Sequence, residues 1–410
     1  MVPGGSPLHV PAFRRLAISY ALNEFGDNFA LIALAVLVFD GTNSALATAG
    51  LFIAAKFVPA FVAPALTARM DRMATGAVLP ALYAIEAAAF AGLAAIAAAR
   101  FSLPAVLALA FVDGTVAVTA RGLSRAAVAA VLGRNDALRA GNALLNTIFS
   151  ITSAAGPAVA GVVVATTSPA AALAIDAGSF ALVALLLVTA RGLPAATDHQ
   201  PEPWLARLRS GVAYVRDSRA LRTLITAQGA ALVFFTLVAP IEVVYAKQTL
   251  SAGDAGFGAL VAAWGAGMIV GSWIYARARD RPTALLVGAS TLVVGLAYVG
   301  MASSPTIVVA CLVAAVGGVG NGVQWISVVT AVQEKVADEF QARVVGMLES
   351  VGAAAPGLGF IMGGVLASVW SPRVAFAVAG AGVLAVGAVM ARRLAISARA
   401  RAAAHRAAGD

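Results

Sequence analysis

Charge is scarce in this sequence. Only 11% of its 410 residues are Asp, Glu, Lys or Arg, against roughly 25% in soluble domains. A soluble globule built from it has too few polar residues to cover its surface. Cysteine is nearly absent. The single one, Cys311, sits inside an apolar run, so no disulfide framework forms within one chain and no metal site is expected. The three histidines, His9, His199 and His405, lie near the start, in a connection and in the tail. None lies in an apolar run, which excludes an intramembrane histidine catalyst or ligand. No G-x-x-x-x-G-K stretch exists, so direct drive by ATP is not expected. No constellation of a soluble enzyme is present, and no cofactor is expected. Residues 1–12 also lack the basic start and short apolar core of a cleaved signal peptide, so the first apolar run reads as a retained start helix.

What the chain has is hydrophobicity: 61% of residues, with a mean hydropathy of +0.90. A spanning helix needs about 20 mostly apolar residues. The segments that qualify are 13–39, 46–67, 77–98, 103–121, 139–166, 170–190, 222–246, 256–277, 283–302, 306–332, 345–369 and 372–391. The expected fold class is therefore an all-α membrane protein with twelve transmembrane helices. The expected organisation is an N-terminal six-helix bundle (1–190), a connection (191–221), a C-terminal six-helix bundle (222–391) and a basic tail (392–410).

The formal net charge is +9. Its placement argues against nucleic acid, because no basic stretch carries interleaved aromatics. The placement reports topology instead: with the N-terminus cytoplasmic, 24 of the 28 Lys and Arg fall inside and only Arg100, Lys247 and Arg373 fall outside. Lys56 stays within a span. Both termini and the 191–221 connection are expected to face the cytoplasm of a bacterial cell, with the inner membrane as location. Trp204, Leu208, Val212 and Val215 recur at helical spacing among arginines, which fits a short helix at the membrane surface. The tail from Arg392 is read as frayed.

The two halves echo each other. Asp136, Ala140 and Gly161 precede Asp338, Ala342 and Gly363 by 202 positions, as a weak internal duplication would leave them. Small residues also cluster at Gly267 and Gly271, at Gly318, Gly320 and Gly322, and at Gly359 and Gly363. Such spacing lets helix backbones approach closely.

Three stretches carry a resemblance. Pro64-Ala-Leu-Thr-Ala-Arg-Met-Asp71-Arg72 follows the second span; Ser153-Ala-Ala-Gly156-Pro157-Ala-Val-Ala-Gly161 lies in the fifth; Gln333-Glu-Lys-Val-Ala-Asp338-Glu339-Phe-Gln-Ala-Arg343-Val-Val-Gly346 joins the tenth and eleventh. They resemble the loop, Gly-Pro and Q-x-x-V-P-D-E-x-x-G-R-x-x-G motifs of the major facilitator superfamily, on the branch of multidrug, macrolide and siderophore exporters. The first motif is degenerate: Thr67 replaces its leading Gly and its later basic residues are missing. The resemblance implies the major facilitator fold, with spans one, four, seven and ten lining a central cavity. It also implies a cytoplasmic gate of Asp71, Arg72, Arg121, Arg125, Asp338 and Arg343, with Asp71 pairing Arg121 or Arg125. The antiporter-like motif is Gly156, Pro157 and Gly161. One departure matters. Many proton antiporters of the superfamily carry an Arg within the fourth span, whereas here that span has Asp113 and no Arg until Arg121, near its cytoplasmic end.

A charged side chain at the bilayer centre costs about 2.5–3.5 kcal/mol on insertion scales. The chain nevertheless places Glu24, Asp27, Lys56, Glu86 and Asp113 near mid-span, with Asp176 and Glu242 nearer span ends. Ser19, Tyr20, Asn23, Glu24, Asp27 and Asn28 share one broad face of the first span. That face fits proton coupling through Asp27 and Glu24, joined by Asp113 of the fourth span; the alternative is a polar network that packs the first span. Two nearby carboxylates in a poorly solvated place do not readily ionise together. Substrate contacts are assigned to Asn23, Asn28, Asn146, Glu242, Asn321, Gln324 and Trp325; the amides of the Asn and Gln residues also suit interhelical hydrogen bonds. Glu86 and Asp176 read as structural, and Lys56 has Glu24, Asp27, Glu86 or Asp113 as partners. The expected function is a proton-coupled exporter of small amphipathic molecules, a monomer in the lipid bilayer. The alternatives are an importer or uniporter of a metabolite or lysolipid, and a non-transporting scaffold or sensor of the same fold.

Overall fold

The computed structural model describes residues 7–70, 73–133, 136–190, 192–193, 216, 219–278, 280–333 and 338–407. The amphipathic stretch from Trp204 and the loop residues Asp71 and Arg72 lie outside the described residues, as does Lys335. What is described is helical throughout: α1 (Pro11–Thr42), α2 (Ala45–Met70), α3 (Thr75–Ala98), α4 (Leu103–Leu132), α5 (Asp136–Thr166), α6 (Pro169–Val188), α7 (Arg219–Thr236), α8 (Gly253–Arg277), α9 (Thr283–Ser303), α10 (Ile307–Gln333), α11 (Asp338–Val369) and α12 (Pro372–Ala407). Among the described residues, ten helical stretches are long and apolar enough to cross a membrane, Leu221–Thr249 counted as one. α5 and α11 carry shorter apolar stretches, Ala155–Thr166 and Ala354–Val369.

Three boundaries depart from hydropathy. The fourth span was expected to end at 121, yet α4 runs on to Leu132. Charge ends an apolar window but does not end a helix, and Arg is a good helix former. For the same reason the Ala- and Arg-rich tail is not frayed where described: α12 stays helical to Ala407. The seventh span, expected to be continuous over 222–246, breaks after Thr236 into a 3₁₀ turn at Ala239–Ile241 and a π-helical turn at Tyr245–Thr249. Pro240 sits at the break, with no N–H to donate and a ring that clashes with the preceding turn.

A second proline reshapes α2. In an ideal helix residue 59 would donate to the carbonyl of Ala55, but it is proline. The turn widens into a π-helix over Ile53–Phe57, with the Val58 N–H reaching back to the Ile53 carbonyl. The Ala55 carbonyl is pressed instead against Gly114 of α4, where a Cβ would lie 2.0 Å from it. Only glycine permits that approach.

Contacts group the chain into two compact units, Met1–Pro201 with Pro240–Gly265, and Glu202–Ala239 with Ala266–Asp410. In the first unit α3 packs on α6 and α4, while α1 packs on α5 and α6. In the second, α9 packs on α12 and α10, while α7 packs on α11 and α12. The pairings repeat six helices apart, as duplication of one six-helix plan would give. Glycine makes the contacts close. A Cβ at Gly267 or Gly271 of α8 would lie 2.1 or 2.2 Å from carbonyls of α10; at Gly359 or Gly363 of α11 it would lie within 2.4 Å of the backbone or Thr236 of α7 and the turn after it. Lipid gives helices no hydrophobic reason to associate, so close backbone packing supplies the attraction.

Candidate functional site

In the first unit the polar face of α1 is turned inward. Ser19, Tyr20, Asn23, Glu24 and Asp27 are all buried. One turn of helix separates Glu24 from Asp27, so their carboxylates project from the same side. The guanidinium of Arg121, on α4, meets both: Nε donates to Glu24 Oε1 at 2.5 Å and a terminal nitrogen donates to Asp27 Oδ2 at 2.9 Å. The Glu24 side chain is wholly buried while Arg121 keeps 31% exposure, so the ion pair is closed on the carboxylate side and open on the cation side. Asn23 Nδ2 donates to Asp27 Oδ2 at 3.4 Å and Asn28 Nδ2 to the Glu24 carbonyl at 2.6 Å. One turn along α4, Arg125 donates to the Tyr20 hydroxyl at 3.1 Å.

Arg121 was expected to be a gate residue near a span end, it or Arg125 pairing with Asp71, which lies outside the described residues. The structure gives its guanidinium to Glu24 and Asp27, and this partnership was missed in the sequence. The signal was depth. Glu24 lies about 20 Å along α1 from its start, and Arg121 about 16 Å from the end of α4, at 1.5 Å per residue. Ending the span at 121 hid this, because it placed the arginine at the helix end rather than well inside it.

More carboxylates surround the pair. Gly26 brings α1 so close to α6 that a Cβ there would lie 2.6 Å from Asp176 Oδ1. Ser179 donates to that same oxygen at 3.1 Å, and Asp176 Oδ2 has no partner. Asp113 is 8% exposed, with Oδ1 unpartnered. Glu86 of α3 is fully buried and neither of its oxygens has a partner. Asp27, Asp113, Asp176 and Arg121 lie within its electrostatic reach. Lys56, within the π turn of α2, is exposed and reaches Glu24 and Asp113 electrostatically. Thus five buried carboxyl groups share one region, and among the described residues one guanidinium, that of Arg121, is hydrogen-bonded to two of them. Full ionisation would leave uncompensated charge in a low-dielectric interior, which is strongly unfavourable. This arrangement can bind protons or organic cations.

The remaining expected residues are spread out. Gly156 packs on α1, where a Cβ would lie 3.0 Å from the Phe25 carbonyl; Pro157 beside it is buried. Gly161 meets Gly258 of α8 backbone to backbone, a Cβ on Gly161 lying 2.2 Å from the Gly258 Cα. Glu242 is half-buried just after the Pro240 break. Near the same end, Lys247 bridges Asp40 and Asp254 at 2.5 and 2.6 Å, a contact with no sequence signal. In the second unit Gln324 is buried and donates to Thr291 Oγ1 at 3.0 Å, lining a small pocket with Gln228 and Met390. Asn321 is half-buried, and Trp325 is 47% exposed. The side chains of Asn146, Asp338 and Arg343 lie outside the described residues.

Known proteins share this plan. The family model for the transmembrane secretion effector matches residues 3–407. The multidrug efflux pump Tap of Mycobacterium tuberculosis, and that of Mycobacterium bovis, is 28% identical over 360 residues, covering 83% of either chain. Among solved structures, a mutant of the nucleoside transporter NupG superposes with a TM-score of 0.73 at 13% identity, covering 93% of this chain and 99% of its own. A mutant of a POT peptide transporter gives 0.72 at 14%, covering 97% and 99%. A bacterial homologue of the human lysosomal transporter Spinster gives 0.69 at 13%, covering 95% and 96%.

Proposed function

The chain belongs to the transmembrane secretion effector family of the major facilitator superfamily, a multi-pass membrane transporter, and on that premise we propose that it is a proton-coupled exporter of small amphipathic molecules, cations among them. The observation that carries the reading is the buried Glu24–Arg121–Asp27 bridge. The likeness to a multidrug efflux pump supports export. The positive-inside bias supports cytoplasmic termini in the cell membrane, and the shorter apolar stretches of α5 and α11, beside the ten longer ones, support a reading with twelve spans.

While both are ionised, Arg121 bonds Glu24 and Asp27 together but its one positive charge leaves the bridge with a net charge of −1. A proton arriving from outside neutralises Asp27 and frees one arm of the guanidinium. On the inward-open side an organic cation competes with Arg121 for Glu24, and the proton leaves Asp27. One cation therefore takes the place of one proton, and the bridge is neutral on both sides of the exchange. Asn23, bonded to Asp27, and Asn28 on the adjoining surface of α1 supply neutral contacts to the substrate. Alternating access follows from the two states of this bridge.

Inverted membrane vesicles with an imposed pH gradient test this, with ethidium as the probe. Asp27→Asn should abolish gradient-driven ethidium uptake while preserving ethidium exchange without a gradient. Undiminished gradient-driven uptake in both Asp27→Asn and Glu24→Gln would overturn the coupling site.

A further inference from the structure

Glu86 is not used by the bridge, and among the described residues it alone has both carboxyl oxygens buried without a hydrogen-bond partner. It lies on α3 between Tyr83 and Phe90, one helical turn to either side. Both rings stack on Phe180 of α6, at 6.4 and 5.3 Å between centroids. Phe180 in turn closes over Gly26. The Tyr83 hydroxyl is engaged by Ser124 at 3.4 Å. The carboxyl group is therefore walled by aromatic rings, wholly buried, and has both oxygens unpartnered.

The groups that face it are acidic but for one. From α1 comes Asp27, from α4 come Asp113 and Arg121, and from α6 comes Asp176. Arg121 is already bonded to Glu24 and Asp27. An ionised Glu86 would be a third negative charge on a guanidinium that carries one positive charge, and buried charge without a hydrogen-bonded partner is costly. A neutral acid in the same place costs far less.

The geometry points to Glu86 as a second proton site of the transport cycle, a store beside Asp27. This rests on the proton-coupled reading above. While Arg121 holds Asp27, the proton sits on Glu86. When the guanidinium leaves Asp27, its carboxylate becomes the stronger acceptor. The proton passes from a Glu86 carboxyl oxygen to an Asp27 carboxylate oxygen, leaving Asp27 neutral and Glu86 ionised with Arg121 free to face it. The total charge is unchanged.

Two readings on the purified full-length protein test this. The first is infrared spectroscopy of the carbonyl stretch of protonated carboxyl groups at neutral pH. The expected result is a band that is lost in Glu86→Gln and kept in Asp27→Asn. A band of unchanged intensity in Glu86→Gln overturns the inference. The second is proton release on binding ethidium, read with a pH dye in weak buffer. Glu86→Gln should release clearly fewer protons than the wild type, because the store that loads Asp27 is gone; equal release overturns the inference while leaving the coupling through Asp27 intact. No release from the wild type removes the coupling reading and with it the role of Glu86 in transport, even if the band assigns the proton to Glu86. Loss of the band on adding sodium at constant pH would make the site a sodium site and also overturns it. Should Glu86→Gln fail to accumulate, Asp113→Asn and Asp176→Asn decide by difference: a band kept in both supports Glu86, and a band lost in either overturns it.

Discussion

The two units repeat one set of helix pairings but fill it with different chemistry. The buried polar residues of the first unit include Glu24, Asp27, Glu86, Asp113 and Asp176. The described buried polar residues of the second are Gln228, Ser290, Thr291, Ser304, Gln324 and Ser327, all neutral. An amide or hydroxyl is satisfied by one or two hydrogen bonds, as Gln324 is by Thr291 and Ser327 by the Val323 carbonyl. A carboxylate is not; it needs a cation or a proton. The same helix plan therefore serves as packing in one unit and, in our reading, as proton machinery in the other. The glycine contacts of the second unit hold α7 to α11 and α8 to α10 as tightly as any in the first, so the difference lies in the side chains and not in how closely the helices approach.

The largest expected effect is at the shared cation. Arg121→Gln strands Glu24 and Asp27 without a counter-charge, and breaking one side of a buried ion pair costs about 3–5 kcal/mol. Gradient-driven ethidium uptake should vanish, and thermal unfolding in detergent should show the loss of stability. Adding Glu24→Gln and Asp27→Asn to the same chain should recover most of that stability and none of the transport. Recovery of transport would sink the role given to the bridge.

Next in size is packing in the second unit. A side chain at Gly363 would enter the backbone of the turn after α7, where even a Cβ comes within 2.0 Å of the Leu237 carbonyl. Gly363→Leu should destabilise by about 1–3 kcal/mol or more, the usual cost of overpacking, read as a lower yield of monodisperse protein and a lower unfolding temperature. If Gly363→Leu is tolerated as well as a lipid-facing substitution, the close α7–α11 contact is not essential.

The smallest effect is expected at Gln324. Gln324→Leu removes one hydrogen bond to Thr291, worth about 1 kcal/mol. Ethidium transport rates should change less than about tenfold, the factor equivalent to 1.4 kcal/mol. A loss as deep as that of Arg121→Gln would erase the contrast between the units and make Gln324 part of the coupling machinery.

Much of this was legible in advance because lipid is an unforgiving solvent. Apolar runs of spanning length announce helices, since no other open structure satisfies its backbone there. The glycines at four-residue spacing announced close crossings, and the structure places backbone against each of Gly267, Gly271, Gly359 and Gly363. The polar face of α1 was equally plain, because a helix keeps Glu24 and Asp27 on one side whatever surrounds it. Helix ends were less legible. Hydropathy stops at Arg121, but hydrogen bonding and propensity carry α4 to Leu132. The break at Pro240 and the π turn before Pro59 follow from missing N–H donors, yet their exact form depends on what the freed carbonyls meet.

The sequence by itself determined the class of molecule, the location of its helices and the presence of charges that lipid would reject. These follow from local chemistry: transfer free energies, backbone hydrogen bonding and a period of 3.6 residues. Which charges meet was decided only by tertiary structure. Arg121 stands 97 residues from Glu24 and 94 from Asp27, and no local rule links them. Gly26 and Gly114 decided it by letting α1 press on α6 and α4 press on α2, closing the interior around five carboxyl groups and the one guanidinium bonded to two of them. Burial then turns a list of acidic residues into groups that must share protons, because in that interior an unshared charge has nothing to stabilise it.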